Sequence, residues 1–301
     1  MAKTVTASVG GHHVELSNLD KVLWPETGFT KAQMIDYYTR VASAMLPHLK
    51  RRPLTLKRYP DGVEADYFYE KECPAYHPEW VQTATMPSGN VRQKVNFCVV
   101  DGVATLVWLA NLATIEFHTL LSLGTDFDRP TFVAFDLDPG EPADVLDAAW
   151  AAERLRDTLA DAGLESFAKV SGSKGVHVYV PLNTATTFDE TKAFAKATAQ
   201  QLESHYPGRI VSNMRKDLRG GKIFVDWSQN DPHKTTVCAY SLRAKARPTV
   251  SAPVEWEELA AARKRRQPGD LVFEAWEVLQ RVEDSGDIFA PVLKLKQRLP
   301  K

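Results

Sequence analysis

Asp136-Leu137-Asp138 ends the apolar run 131–138, and Pro139-Gly140 stops that run sharply. Residues two apart in a strand point to the same face, so two carboxylates would share one small volume. Such a pair is unfavourable when partly buried unless it is protonated or neutralised by a cation, and clustered carboxylate oxygens suit Mg²⁺ or Mn²⁺. Asp226, within Ile223-Phe224-Val225-Asp226-Trp227, is a third acid in an apolar, aromatic strand, and a buried acid of this kind needs a partner. Each motif also has a plainer reading: Asp-x-Asp occurs at surface turns, and a strand Asp can pair with a neighbouring Arg. Taken together, the three acids could hold two divalent ions, which activate an attacking hydroxyl and neutralise a leaving pyrophosphate. Phosphoryl or nucleotidyl transfer is the leading class.

Between the acids lies Ser171-Gly172-Ser173-Lys174-Gly175-Val176-His177. Its glycines permit close backbone approach, its hydroxyls and N–H groups can bond phosphate oxygens, and Lys174 adds charge. It is no Walker A loop, because GxxxxGK[ST] is absent and a strand follows rather than a helix. His177 heads the β pattern His-Val-Tyr-Val and can project toward the acids. His118 has two readings, a satisfied core histidine or a catalytic one.

These residues need elements to hold them. Thr30 with Gln33 forms a capping-box pattern, and apolar Met34, Tyr37, Tyr38, Val41 and Met45 predict a helix over 30–49, its last turn disturbed by Pro47. A strand is expected over 53–59, a turn at Pro60-Asp61-Gly62, and a second helix over 103–121 carrying Glu116 and His118. The central strand over 131–138 is followed by a helix over 142–162, stopped by Gly163. Strands near 166–170 and 175–182, a helix over 189–206, and strands near 222–228 and 235–240 lead into a helical, basic tail from Trp256. With no internal repeat and no Gly/Ser or Pro-rich linker, the pattern reads as one α/β body with mixed sheets.

Composition fits a folded enzyme: 301 residues, 44% apolar, 25% charged and 10% aromatic exclude collagen-like and disordered classes. The net charge of −1 argues against a polybasic nucleic-acid binder, but it is a cancellation. Residues 136–165 carry nine acids against Arg154 and Arg156, whereas residues 205–247 carry nine Lys or Arg against three acids. A basic face able to attract phosphates is compatible with that separation. The runs Arg263-Lys264-Arg265-Arg266 and Lys294, Lys296, Arg298 and Lys301 read as solvated surface. Cys73, Cys98 and Cys238, odd in number and widely spaced, predict no disulfide framework and no zinc knuckle, hence a reducing cytoplasmic compartment. The start at Met1-Ala2-Lys3-Thr4 has no signal-peptide core, and no stretch reads as a membrane span.

The order DLDPG, SGSKGVH, FVDWSQN and Tyr240-Ser241-Leu242-Arg243, with Glu15-Leu16-Ser17-Asn18-Leu19-Asp20-Lys21-Val22-Leu23-Trp24-Pro25 upstream, resembles the polymerase domain of bacterial DNA ligase D, in the archaeo-eukaryotic primase superfamily. β-type nucleotidyltransferases place their Gly-Ser element before the first acidic pair; here it follows. The resemblance implies a primase-like catalytic core with an N-terminal subdomain wrapped onto it, forming one catalytic unit over 1–301. Its parts would be a subdomain over about 1–125, a core over about 126–250 and a tail over about 251–301.

The activity so implied is template-directed nucleotide addition at gaps and 3′ ends of broken DNA, in non-homologous end joining or short-gap repair. Two Mn²⁺ or Mg²⁺ ions and NTPs or dNTPs would serve, with ribonucleotides preferred. By motif, Asp136, Asp138 and Asp226 would be metal ligands and His118 an active-site histidine. Lys57, Ser171, Lys174, His177, Gln229 and Arg243 would bind nucleotide. Asn18, Lys21 and Lys31 would hold a downstream 5′-phosphate, and Phe68, Tyr69 and Arg219 the template, Arg219 from a mobile loop over 215–222. Position 69 is Tyr where the family often has Phe, which keeps stacking. The implied partners are gapped or broken DNA, Ku and an ATP-dependent ligase, fused or separate, around a monomeric protein at the nucleoid. No ligase or phosphoesterase motif accompanies the domain, so the chain would be either excised from a larger protein or a stand-alone homologue, and its native-looking ends lead to the expectation of the latter. A decayed DNA-end or Ku-binding module and a two-metal phosphatase or nuclease are the alternatives.

Overall fold

The chain is described here by a computed structural model covering residues 4–87 and 94–300; the first three residues and Lys301 of the basic tail lie outside them. Two compact units emerge, Met1–Leu120 with Thr235–Val250 and Glu274–Asp287, and Leu121–Lys234 with Ser251–Phe273 and Ile288–Lys301. The residues from 235 onward are shared between the units.

In the first unit, the Thr30/Gln33 capping box forms as expected, Gln33 N–H donating to Thr30 Oγ1 at 3.3 Å and Thr30 N–H to Gln33 Oε1 at 2.8 Å. The helix is split, however, into Lys31–Arg40 and Ala42–Leu49 around Val41. Pro47, which cannot donate to the carbonyl four residues back, lies in the second piece. A four-stranded sheet runs in the order Thr235–Val237, Thr114–Leu120, Leu54–Arg58, Phe68–Glu70.

The expected helix over 103–121 is corrected. It ends at Asn111, Ala113 takes a left-handed φ of 61°, and Thr114–Leu120 is a strand. Thr114-Ile115-Glu116-Phe117-His118-Thr119 is rich in β-branched and aromatic residues, which pack well on a pleated surface. Glu116 and His118 therefore project from one face of a strand. The cysteine expectation is also corrected, because Cys73 and Cys98 are disulfide-bonded, while Cys238 is buried outside any disulfide.

The second unit is built on a six-stranded sheet in the order Ile210–Val211, Ile223–Asp226, Phe132–Pro139, Val176–Pro181, Phe167–Val170, Pro253–Val254. Only the Ile210–Val211 pairing is parallel. Val133, Phe135 and Leu137 are fully buried and alternate with Ala134, Asp136 and Asp138, the period of two that separates a core face from a working face. Helices Val145–Asp161 and Phe188–His205 pack on this sheet. The first begins three residues later than expected because Asp144 caps it, accepting from Leu146 N–H at 2.8 Å. Among the described residues no helix is long and apolar enough to cross a membrane.

Candidate active site

In the second unit, Asp136 stands directly opposite Asp226 in one ladder and directly opposite His177 in the other. His177 in turn faces Lys169. Lys169, His177, Asp136 and Asp226 thus form a single cross-strand row over four strands, and direct partners lie on the same face. Asp138, two residues beyond Asp136, joins that face opposite Phe224.

Burial first, then Asp136 and Asp226, raises the Asp138 pKa well above the ordinary carboxylate range, against the pull of Lys174 and Arg219. A carboxyl held in that state is one that a cation would favour in ionised form. His177 Nε2 lies 3.2 Å from Asp136 Oδ1. Asp226 caps the short turn that follows it, with Oδ1 accepting from Ser228 N–H at 2.9 Å and Ser228 Oγ at 2.6 Å, and Oδ2 accepting from Gln229 Nε2 at 3.0 Å. Lys234 Nζ donates to Ser228 Oγ at 2.5 Å.

The Gly-rich loop meets the acids through its backbone. A Cβ on Gly175 would lie 2.7 Å from Leu137 O and 3.4 Å from Asp138 Oδ1, so only glycine lets the loop sit there. Ser171 Oγ accepts from Ser173 N–H at 3.2 Å and Gly175 N–H at 3.1 Å, folding the loop on itself, and Lys174 is exposed at its tip. The segment 215–222 is tied to the end of the acidic strand: Gly221 N–H donates to Gly140 O at 3.0 Å, and a Cβ on Gly140 would lie 2.0 Å from Arg219 O. Arg219 lies 3.6 Å over the Phe224 ring and donates to Met214 O at 2.7 Å.

The donor set of Asp136, Asp138 and Asp226 is all oxygen and fits a hard divalent ion. Among the described residues no group of three or more His, Cys, Asp or Glu is placed, as it stands, so that it could hold a metal ion, and Asp226 has both oxygens engaged by its own turn.

The first unit carries a second polar cluster, centred on Glu116, which is 1% exposed. Its carboxylate accepts from His118 Nε2 at 2.9 Å and from Ala244 N–H at 3.1 Å, with Arg243 Nε at 3.4 Å and Lys57 Nζ at 3.7 Å. Burial alone would raise the Glu116 pKa, yet the His118 hydrogen bond and the charge of Arg243 hold it well below the carboxylate range. Burial lowers the pKa of His118 and of Lys57, and Glu116 opposes both shifts. Phe117 N–H donates to Ser241 Oγ at 2.9 Å and Leu242 N–H to Tyr38 Oη at 3.0 Å, which moors the segment carrying Arg243. Lys57 lies 4.1 Å over Tyr67 and 5.6 Å over Tyr69, a cation–π setting.

Phe68 and Tyr69 are 43% and 57% exposed. As strand neighbours they point to opposite faces, Tyr69 opposite Lys57 and Phe68 opposite Arg58. Asn18, Lys21 and Lys31 are also gathered. Asn18 takes a left-handed φ of 53°, Lys21 N–H donates to Asn18 O at 3.0 Å, and Lys31 N–H donates to Lys21 O at 2.8 Å. Lys21 pairs with Asp61 at 2.6 Å. Lys31 is no ordinary surface lysine: it is 5% exposed and donates to Ser17 O at 2.6 Å, and burial, then Lys21 and Arg58, lower its pKa to about 8.

Sequence reasoning missed Glu116 as a hub, Lys169 beneath His177, and the Ser228–Lys234 pair behind Asp226. The alternation of Glu116 and His118 in a β-favouring run, and a lysine inside Phe167-Ala168-Lys169-Val170, were the available signals.

An antiparallel sheet with carboxylates on two adjacent strands and a Gly-Ser loop entering a third defines a nucleotidyltransferase of primase-polymerase type. The chain belongs to the LigD primase-polymerase domain family, whose model matches residues 30–289. It is 39% identical over 283 residues to the multifunctional non-homologous end joining protein LigD of Mycolicibacterium smegmatis, covering 93% of this chain and 36% of that protein. Against the bifunctional LigD of Bacillus subtilis the identity is 32% over 250 residues, covering 83% and 40%. The chain thus spans little more than a third of these relatives. The polymerase domain of Mycobacterium tuberculosis ligase D, solved in complex with DNA, superposes with a TM-score of 0.86 at 38% identity, covering 94% of this chain and 98% of that one. Domains of this family are DNA-directed nucleotidyltransferases, and the mixed α/β class expected from the sequence is the one observed.

Proposed function

We propose that this chain fills gaps and extends 3′ ends at broken DNA by template-directed nucleotide addition, within non-homologous end joining. The observation that carries this reading is the Asp136–Asp226 ladder pair, with Asp138 beside it and Gly175 packed against its strand. Asp136, Asp138 and Asp226 would hold two Mg²⁺ or Mn²⁺ ions, which when bound supply an activated 3′-hydroxyl and charge neutralisation at the leaving pyrophosphate.

The chain's own groups do the rest. Backbone N–H groups and Lys174 of the Gly-rich loop receive the triphosphate, His177 donates to it, and Gln229 leaves Asp226 to contact the incoming nucleotide. His118, Lys57 and Arg243, held as a set by Glu116, present cationic and polar groups to the nucleotide, with ribonucleotides used at least as well as deoxynucleotides. Asn18, Lys21 and Lys31 receive the 5′-phosphate across a gap; two ammonium groups distinguish that dianion from a continuous strand. Tyr69 and Phe68 offer sequence-tolerant stacking to template bases, and Arg219 contacts the template strand. The protein would work as a monomer in the cytoplasm at the nucleoid, with Ku and an ATP-dependent ligase acting on the same ends.

The deciding assay supplies Mn²⁺, labelled rNTP or dNTP, and gapped DNA with or without a 5′-phosphate. Extension opposite the template base, lost in Asp138→Ala, is expected. Strand cleavage without extension would move the assignment to a nuclease, and binding alone to a non-catalytic end-binding module.

A further inference from the structure

Lys169 is 0% exposed, in a strand whose other members are Phe167, Ala168 and Val170. Burying an amine so completely needs specific partners. Its Nζ lies 2.6 Å from Ser251 Oγ and 3.1 Å from His177 Nδ1, and 5.7 Å over the Tyr179 ring. The Ser251 hydroxyl donates to Val170 O at 3.1 Å, so toward Lys169 it is an acceptor.

From this geometry we propose that Lys169 is a positioning residue, whose buried amine fixes the tautomer of His177 and makes Nε2 of that ring a hydrogen-bond donor on the acidic face. The Ser251 oxygen and the face of the Tyr179 ring both suit a protonated amine, and an ammonium has donors and no acceptor. Donating to Nδ1, it requires a lone pair there, and a neutral imidazole with a lone pair on Nδ1 carries its proton on Nε2. That nitrogen lies 3.2 Å from Asp136 Oδ1, an approach within ion-pair distance rather than an aligned hydrogen bond. The opposite tautomer would set two N–H groups against each other at Lys169 and turn a lone pair toward the Asp136 oxygen. Donation therefore runs from Lys169 to His177, and the Nε2 proton is left facing the acidic side of the row.

The consequence for function rests on the nucleotidyl-transfer reading. His177 follows the Gly-rich loop by two residues, so a phosphate oxygen seated there meets an N–H rather than a lone pair. The lysine contributes without touching the nucleotide, through the ring it orients.

The test uses the full chain, ¹⁵N-labelled at histidine, with long-range ¹H–¹⁵N spectra of the metal-free protein at neutral pH. His177→Gln assigns the signals. Wild type is expected to show an unprotonated Nδ1 and a protonated Nε2 at His177. Lys169→Met should give an averaged or Nδ1-protonated ring, and Lys169→Arg, which keeps the donor, should restore the wild-type pattern. Gap filling read separately should show KM for the nucleotide rising about tenfold in Lys169→Met, the worth of one hydrogen bond near 1.4 kcal/mol, with a smaller change in kcat. A protonated Nδ1 or an imidazolium in wild type overturns the proposal without any variant having to fold. An unchanged ring in a folded Lys169→Met overturns it equally. Wild type that extends no primer instead overturns the polymerase reading and leaves the tautomer result standing.

Discussion

Asp136 and Asp226 are direct partners across an antiparallel ladder, so two carboxylates ninety residues apart in the chain sit on one face of adjacent strands. Like charges placed directly opposite destabilise a sheet, and Asp138 beside them is pushed further toward its neutral form by burial. A site arranged for charge neutralisation by a bound cation has this signature.

Asp138→Asn is expected to abolish gap filling by at least about a hundredfold, since a bound divalent ion is worth several kcal/mol of transition-state stabilisation. In the absence of metal the same variant should melt at or above the wild-type temperature, because one of three crowded charges is gone. Lower metal-free stability, measured by thermal unfolding, would contradict this account of the acids.

Glu116→Gln leaves Lys57 and Arg243 without their shared counter-charge. Removing one partner from a buried charged set costs about 3 kcal/mol, to be read from urea unfolding at neutral pH. The pH dependence has a definite sign. The folded-state pKa of Glu116 lies below its ordinary 4.5, so its contribution is full above 4.5 and is lost as pH falls from there. The stability gap between wild type and Glu116→Gln should narrow over that acid range.

Lys31 behaves in the opposite part of the scale. Its pKa is lowered from 10.5 to about 8, so the folded protein sheds this proton before the unfolded chain does, and stability rises with pH between those values. Binding of 5′-phosphorylated gaps should weaken as pH passes upward through 8, with little change for gaps lacking the phosphate. Lys21→Ala with Lys31→Ala should erase that difference, measured by fluorescence anisotropy; equal losses on both DNAs would indicate general backbone attraction instead.

Phe68 and Tyr69 face opposite ways, so their contributions should separate. A stacked base is worth about 1–3 kcal/mol, and Tyr69→Ala, on the Lys57 face, is expected to weaken template-dependent extension by about five- to 150-fold. Phe68→Ala should act on DNA binding with less effect on nucleotide KM. Indistinguishable kinetics in the two variants would count against this separation.

The Cys73–Cys98 pair gives a chemical check. Thiol titration of the denatured, non-reduced protein should find one thiol per chain, that of Cys238, and three after reduction. Closing a loop of this size is worth about 3 kcal/mol, so reduction should lower the urea midpoint.

Much of the second unit's site was legible in the sequence because its signals are local. Apolar alternation ending in Asp136 and Asp138 gives strand, face and terminus at once, and Gly175 marks a place where backbone must approach backbone. The first unit was harder to read. Residues 103–121 are apolar enough to pass for one helix, and only the left-handed turn at Ala113 hands Glu116 and His118 to a strand. The cysteine pairing was equally hidden, since spacing says nothing about which Cα atoms meet.

By itself, then, the sequence determined which residue types could bind metal and phosphate, their order along the chain, and the family they mark. Tertiary structure alone decided who faces whom: Asp226 opposite Asp136, Lys169 beneath His177, and Lys57 and Arg243 around Glu116. Side-chain alternation is a short-range property written in neighbouring residues, whereas ladder register and the burial of a charge depend on segments brought together across the chain.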